Sequence, residues 1–226
     1  MEFLVAQGWK QACPGAAVGL LAMSQVRNEA ANAALEVRSL ALTAELQRRY
    51  GGWDRAALRA TPILAAYHAY YRRFEKTYHV LLQLESVALK GQPIGGTGSL
   101  VRAMLMAELD TLLLTAGHDR KKLHGPAGIH LATGDERYTR LGGQEQALKK
   151  GDMYIADSSG VLSSILYGPD DRSRIAADTH EVLYTVYAVP GISPDRLQTH
   201  LAGLETLVRL ASPQAVTDSI RVETAD

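Results

Sequence analysis

The chain has one cysteine among its 226 residues, Cys13, so no disulfide can close within it and a cytoplasmic setting is expected. An excess of charge of either sign is also missing. Lys and Arg number 24, Asp and Glu number 24, and the formal net charge is zero. Strong sequence-blind binding of nucleic acid needs many phosphate-neutralising cations, so that class is excluded and no DNA partner is expected. A local basic patch, or contact with only the end of an RNA, stays open. No apolar run approaches the roughly 20 residues of a membrane span. The longest near the start, Ala16 to Met23, is short, is interrupted by Gly19 and lacks a basic leader. Neither a membrane anchor nor a signal peptide is expected. There is no fixed-period repeat and no low-complexity tract.

Several chemistries lack their residues. No Gly-x-Ser-x-Gly elbow is present, and no Cys–His arrangement suggests itself. Cys13 precedes Pro14 in an apolar context, which suits a structural thiol better than a nucleophile. The loop Gly95-Gly96-Thr97-Gly98 stands before a helix, where backbone N–H groups can cradle a phosphate. It lacks the Gly-Lys-Ser/Thr ending of a Walker A loop and the full dinucleotide fingerprint, and reads better as a linker. His118, His124 and His130 fall six apart, whereas helical metal sites prefer four. No metal and no cofactor is expected.

What is present suits a folded domain. Hydrophobic residues make up 46% of the chain, enough for a full core. The length fits one large domain, or one domain with a helical extension. A helix is predicted from Ser24 to Gly51-Gly52, with Val26, Ala30, Ala33, Val37, Leu40 and Ala44 as its apolar face. A second follows Thr61-Pro62 with the stripe Tyr67, Tyr70 or Tyr71, Phe74 and Tyr78, and a third runs from Leu81 to Leu89. Ser99 is read as the cap of a helix carrying Leu105, Leu109 and Leu112. From about Gly128 the pattern changes to strands. Met153 to Ala156 and Val161 to Tyr167 flank Asp157-Ser158-Ser159-Gly160 as a hairpin, and Val182 to Val189 reads as a strand. Ser193-Pro194-Asp195 opens a last helix with Leu197, Leu201, Leu204 and Val208 inside. Residues after Ser212 read as a polar tail. Helices, then strands, then a helix predict an α+β fold.

Three segments offer site residues. His118-Asp119 follows a Thr-Ala-Gly break where a helix is expected to end. A histidine there can act as acid or base, or can satisfy a buried carbonyl while Asp119 caps the next turn. Ser163 and Ser164 lie within an apolar strand, where alternation places them on opposite faces, so at most one lines a given cavity. Tyr167-Gly168 ends that strand, where a side chain and a bare backbone can meet a ligand. Tyr70, Tyr71, Arg72, Arg73, Phe74, Lys76 and Tyr78 interleave rings and cations, a composition that can hold unpaired bases and phosphates. The helical spacing of the rings equally suits aromatics in a core and cations in water.

Five phrases in order carry a resemblance. They are Ser86-Val87-Ala88-Leu89-Lys90-Gly91, Leu112 to Asp119, Gly151 to Asp157, Gly160 to Asp170, and Val186 to Gly191. Together they resemble the B3/B4 domain of the phenylalanyl-tRNA synthetase beta subunit, and most of all the free-standing proteins that carry this domain. The resemblance covers about Leu81 to Val208. It implies a three-layer domain with a mixed or antiparallel sheet over 81–211, a helical extension over 1–80 and a tail over 212–226. It implies a tRNA partner, met at its aminoacylated 3′ end, and editing in trans by ester hydrolysis, or else a non-catalytic module that binds tRNA, an amino acid or a similar small ligand. Aligned on Asp119, the family's editing His falls at Ala116 and its Thr-Asn at Met104-Leu105. Its Ala-Gly-Val-Met-Gly strand falls at Ser164 to Gly168, and its tyrosine-recognising Glu at Thr185. The resemblance therefore implies a kept pocket with altered chemistry. Ile165 in place of Gly narrows it, and a substrate smaller than tyrosine is expected. His118 and Asp119 are the expected catalytic pair. Ser163, Ser164, Ile165, Tyr167, Gly168 and Thr185 are expected at the substrate, and Lys121, Lys122, Arg72 and Arg73 at the RNA.

Overall fold

The computed structural model describes residues 2–226. The chain opens with strand β1 (Phe3–Val5), helix α1 (Gln7–Ala12) and strand β2 (Ala17–Ser24). Helices α2 (Ala33–Tyr50), α3 (Arg55–Arg59), α4 (Pro62–Arg72), α5 (His79–Leu84) and α6 (Ser99–Thr111) follow. Strands β3 (Leu114–Asp119), β4 (Ala127–Leu131), β5 (Arg137–Thr139), β6 (Glu145–Ala147), β7 (Met153–Asp157), β8 (Gly160–Ser164), β9 (Gly168–Pro169) and β10 (Glu181–Ala188) form the middle of the chain. Helix α7 (Pro194–Ala211) and strand β11 (Val216–Thr224) close it.

The architecture is α+β with mixed and antiparallel sheets. One sheet has the order β1-β4-β7-β8-β9, in which only β1–β4 is parallel. The other, β11-β2-β10-β3, is antiparallel throughout. Gly19 of β2 faces Leu197 and Leu201 of α7, and the Tyr184 hydroxyl of β10 donates to Leu100 O of α6 at 3.0 Å. Helices thus cover one face of the four-stranded sheet. Its other face meets the five-stranded sheet, because residues directly opposite in paired strands share a face and Tyr187 of β10 reaches Ser163 of β8.

Several expectations need correction here. The first 80 residues are not an extension. Ala16 to Met23 is buried on both faces as β2, between β10 and β11, which is why it is an unbroken apolar run rather than an alternating one. The segment after Ser212 is β11, paired along its length with β2. Ser24 ends a strand. Helix α2 begins at Ala33, where the Asn32 side chain accepts from Leu35 N at 3.1 Å. Its buried face is Leu35, Ser39, Leu42, Leu46 and Tyr50, while Val37 and Leu40 lie exposed. The Ser99 side chain does not cap α6; it donates to Arg27 O at 3.0 Å. Asn28 Oδ1 accepts from Leu100 N, so the start of α6 is already engaged by the protein.

The tyrosine stripe of α4 is buried as expected, and its hydroxyls tie the two sheets together. Tyr67 accepts from Leu114 N at 3.1 Å and donates to Tyr187 O. Tyr70 accepts from Met153 N at 2.8 Å and donates to Asp152 Oδ1 at 2.9 Å. Tyr71 donates to Ile165 O at 2.5 Å. Each ring adds apolar burial while each hydroxyl satisfies a backbone group that water cannot reach.

Candidate active site between the two sheets

His118 lies within strand β3, not at a helix end as expected. The αL residue that ends α6 is Leu112, six positions earlier, and the chain enters the sheet directly after it. Strand alternation then sends His118 toward the five-stranded sheet. Asp119, one residue on, belongs to the opposite face.

Ser163 is brought to His118 by a bulge. Ile155 pairs with Ser163 but Ala156 pairs with Val161, so Leu162 is the extra residue on β8. A bulge re-aims side chains beyond it. Here Ser163 turns inward, and Ser164 turns to the other side, where its hydroxyl accepts from Tyr167 N at 3.1 Å. The opposite-face expectation for the two serines holds.

The result is a buried chain of polar groups. His118 Nε2 is 3.2 Å from Ser163 Oγ, and His118 Nδ1 is 2.7 Å from Ser173 Oγ. Ser173 Oγ donates to Asp170 Oδ1. At the far end, the Tyr187 hydroxyl is 2.7 Å from Ser163 Oγ and 3.0 Å from Ser163 O. An ionised Asp170 sets the direction of the protons as far as Ser163. Ser173 gives its proton to Asp170, so it accepts from His118 Nδ1–H. His118 Nε2 is then the acceptor, and Ser163 donates to it. Arg172 secures the acidic end, with Nε 3.5 Å from Asp170 and a pair of contacts at 3.0 and 3.1 Å to Asp157.

Burial dominates the electrostatics. His118 is 0% exposed. Loss of solvent, helped by the nearby Arg172 charge, pushes its pKa down to about 3, with Asp157 opposing. The ring is neutral at physiological pH. Burial also raises Asp170, against the hydrogen bonds from Ser173. A neutral imidazole that accepts from one hydroxyl and passes its other proton toward a carboxylate can serve as a base for Ser163.

The remaining expected residues fall in different places. Asp119 does not orient His118. Its side chain accepts from Lys121 N at 3.1 Å and from Thr179 Oγ1 at 2.9 Å, capping the turn after β3. The acid on the histidine's side is Asp170, reached through Ser173. Thr185 lies on the inter-sheet face directly across from Ala116, and its buried hydroxyl has no hydrogen-bond partner. Ile165 is fully buried, with its N–H on Met153 O at 3.0 Å. Tyr167 is half-buried beneath the Lys76 ammonium, and Gly168 O accepts from Tyr138 at 2.8 Å. Lys121 is 3.8 Å from Glu181, and Lys122 is 3.6 Å from Asp119. Arg72 and Arg73 are exposed.

Three other acids are buried, and one of them, Glu85, is paired with Arg55. Asp152 is held by Tyr70, and burial raises its pKa to about 7 against hydrogen bonds from Tyr70 and Ser164. Glu108 accepts from Thr115 N at 2.7 Å and is raised by burial to about 8. Thr115 and Thr111 bracket His200 at 2.9 and 2.6 Å beside a cleft of about 270 Å³. A second cleft of about 330 Å³ lies between α5 and α6, lined by Leu82, Val87, Ile94, Leu105 and Leu109. Neither cleft reaches Ser163.

Residues 104–205 match the model of the B3/4 domain. No curated protein matches the chain. Among solved structures, it is similar to an N-terminal fragment of the phenylalanyl-tRNA synthetase beta-subunit from Pyrococcus horikoshii, at 13% identity and a TM-score of 0.47. That likeness covers 98% of this chain and 50% of the other, so the chain spans about half the fragment's length.

Proposed function

From the premise that this chain carries a B3/4 domain, we propose that it is a tRNA-related protein that hydrolyses a mischarged aminoacyl-tRNA in trans. The phrases from Ser86 to Gly191, which resemble an editing domain, support the substrate class. One observation carries the reaction type: Ser163 Oγ sits against His118 Nε2, and the histidine's other nitrogen leads through Ser173 to Asp170.

In this reading, Ser163 Oγ attacks the carbonyl carbon of the aminoacyl ester while His118 Nε2 takes its proton. The bond from that carbon to the ribose oxygen breaks, and His118 returns the proton to the departing oxygen. Water, deprotonated by the same nitrogen, then frees the amino acid and restores Ser163. Because Ser163 and His118 are both buried, substrate meets them only when the covering chain opens. The bulk of Ile165 and the short Thr185 hydroxyl favour a small side chain over tyrosine.

That same burial favours a second reading, a non-catalytic module that binds tRNA and in which the polar chain only locks the sheets together. A panel of tRNAs mischarged with small and aromatic amino acids separates the two. Release of one amino acid well above the buffer rate supports hydrolysis, and a preference for tyrosine contradicts the pocket-size expectation. No release with tRNA still bound selects the binding module.

A further inference from the structure

We infer that Arg73, Lys76, Lys149 and Lys150 form the surface that holds the phosphates of a single-stranded RNA end, an inference that rests on the tRNA reading above. These cations come from the end of α4 and from the turn before β7, and they meet in space. The Lys149 ammonium donates to Phe74 O at 2.8 Å. A guanidinium nitrogen of Arg73 lies 3.9 Å from where a Cβ would stand on Gly151, the residue after Lys150. The Arg73 guanidinium carbon is 5.4 Å from the ring centres of both Tyr70 and Phe74, and the Lys76 ammonium is 5.3 Å from that of Tyr167.

What separates this cluster from the segment Arg120 to Lys122 is the absence of counter-charge. All four side chains belong to exposed residues, and none makes an ion pair among the described residues. Arg120, Lys121 and Lys122, by contrast, are matched by Glu181, Asp218 and Asp119. Glu75, between Phe74 and Lys76, makes no ion pair among the described residues, and Glu136 is occupied with Thr133 and Gly134 N–H groups. In a chain of zero net charge, such a patch is where a polyanion is attracted. The half-buried Tyr167 ring at its border suits an unpaired base, since stacking on an aromatic tolerates any sequence. Tyr167 also lies four residues from Ser163, so RNA held here has its end near the strand that carries the hydroxyl.

The test is fluorescence anisotropy with a labelled single-stranded RNA of about 12 nucleotides, competed by unacylated tRNA, over about 50 to 200 mM KCl. Four phosphate contacts predict a log–log salt slope of about −3 for single-stranded RNA. Arg73→Glu with Lys149→Glu is expected to weaken binding at least tenfold. So is Lys76→Glu with Lys150→Glu, whose ammonium groups hold no hydrogen bond among the described residues, and here the melting temperature should not move. Lys121→Glu with Lys122→Glu is expected to stay within twofold of wild type. If wild type binds and both patch variants bind equally well, the surface assignment is overturned while the tRNA reading survives. If wild type binds no RNA even at the lowest salt, or binds anionic vesicles instead, both fall.

Discussion

His118 Nε2 lies 3.2 Å from Ser163 Oγ although 45 residues separate the two in the chain. Two features of the backbone produce this contact: the position of His118 on the inter-sheet face of β3, and the extra residue Leu162 that turns Ser163 inward. The pair exists only as long as the two sheets stay in register, and the tyrosines of α4 hold them there.

Tyr67→Phe tests the attachment of α4 to the four-stranded sheet. The hydroxyl serves Leu114 N and Tyr187 O at once, and its removal leaves both unpaired in the core. A loss of about 1–3 kcal/mol is expected in chemical denaturation, with little change in the unfolding slope. An unchanged midpoint would remove Tyr67 from the account.

Gly117, beside His118 in β3, leaves no room for a methyl group. A Cβ there would stand 2.7 Å from Ile175 Cδ1, 3.2 Å from Tyr184 Cε1 and 3.3 Å from Met104 Sδ. Gly117→Ala is expected to cost about 1–3 kcal/mol through overpacking, seen as a lower melting temperature.

The pH profile of stability has a calculable shape. Burial lowers His118 to about 3 and both His79 and His200 to about 4, against an ordinary 6.5. Their contribution is complete above pH 6.5 and is lost as pH falls through those values. Burial raises Glu108 from 4.5 to about 8 and Asp152 from 3.8 to about 7. Their contribution is complete at low pH and is lost as pH rises through those values. Three histidines outweigh two carboxyls below pH 6.5, and the carboxyls act alone above it, so stability should peak at about pH 6.5. Glu108→Gln should flatten the alkaline side, retaining on the order of 2 kcal/mol that wild type loses by pH 8. A melting temperature that instead rises steadily from pH 6.5 to 8 would contradict the buried, neutral Glu108.

Much of this was legible in the sequence. Helical spacing marked the tyrosine stripe and α7, and Asp157-Ser158-Ser159-Gly160 marked the β7–β8 hairpin. The sequence marks His118 and Ser163 as candidate site residues. It does not mark their meeting, because that depends on a bulge that leaves no periodic trace. Asp170 stands in a recognisable phrase, but Ser173, which links it to the histidine, carries no local signal. The capping reading of Asp119 holds, because adjacent residues on a strand face apart and its carboxylate closes the next turn. Strand β2 was missed because burial on both faces erases the alternation by which strands are usually read.

The most direct test is the deacylation rate of wild type, Ser163→Ala, His118→Gln and the double variant on the tRNA that wild type cleaves best, with melting temperatures confirming that each variant folds. If the hydroxyl and the imidazole act as one unit, each single change lowers kcat/KM by about a hundredfold or more, and the double variant is no worse than the poorer single. Rates within twofold of wild type in folded variants would contradict the account and leave the His118–Ser163 contact a purely structural one.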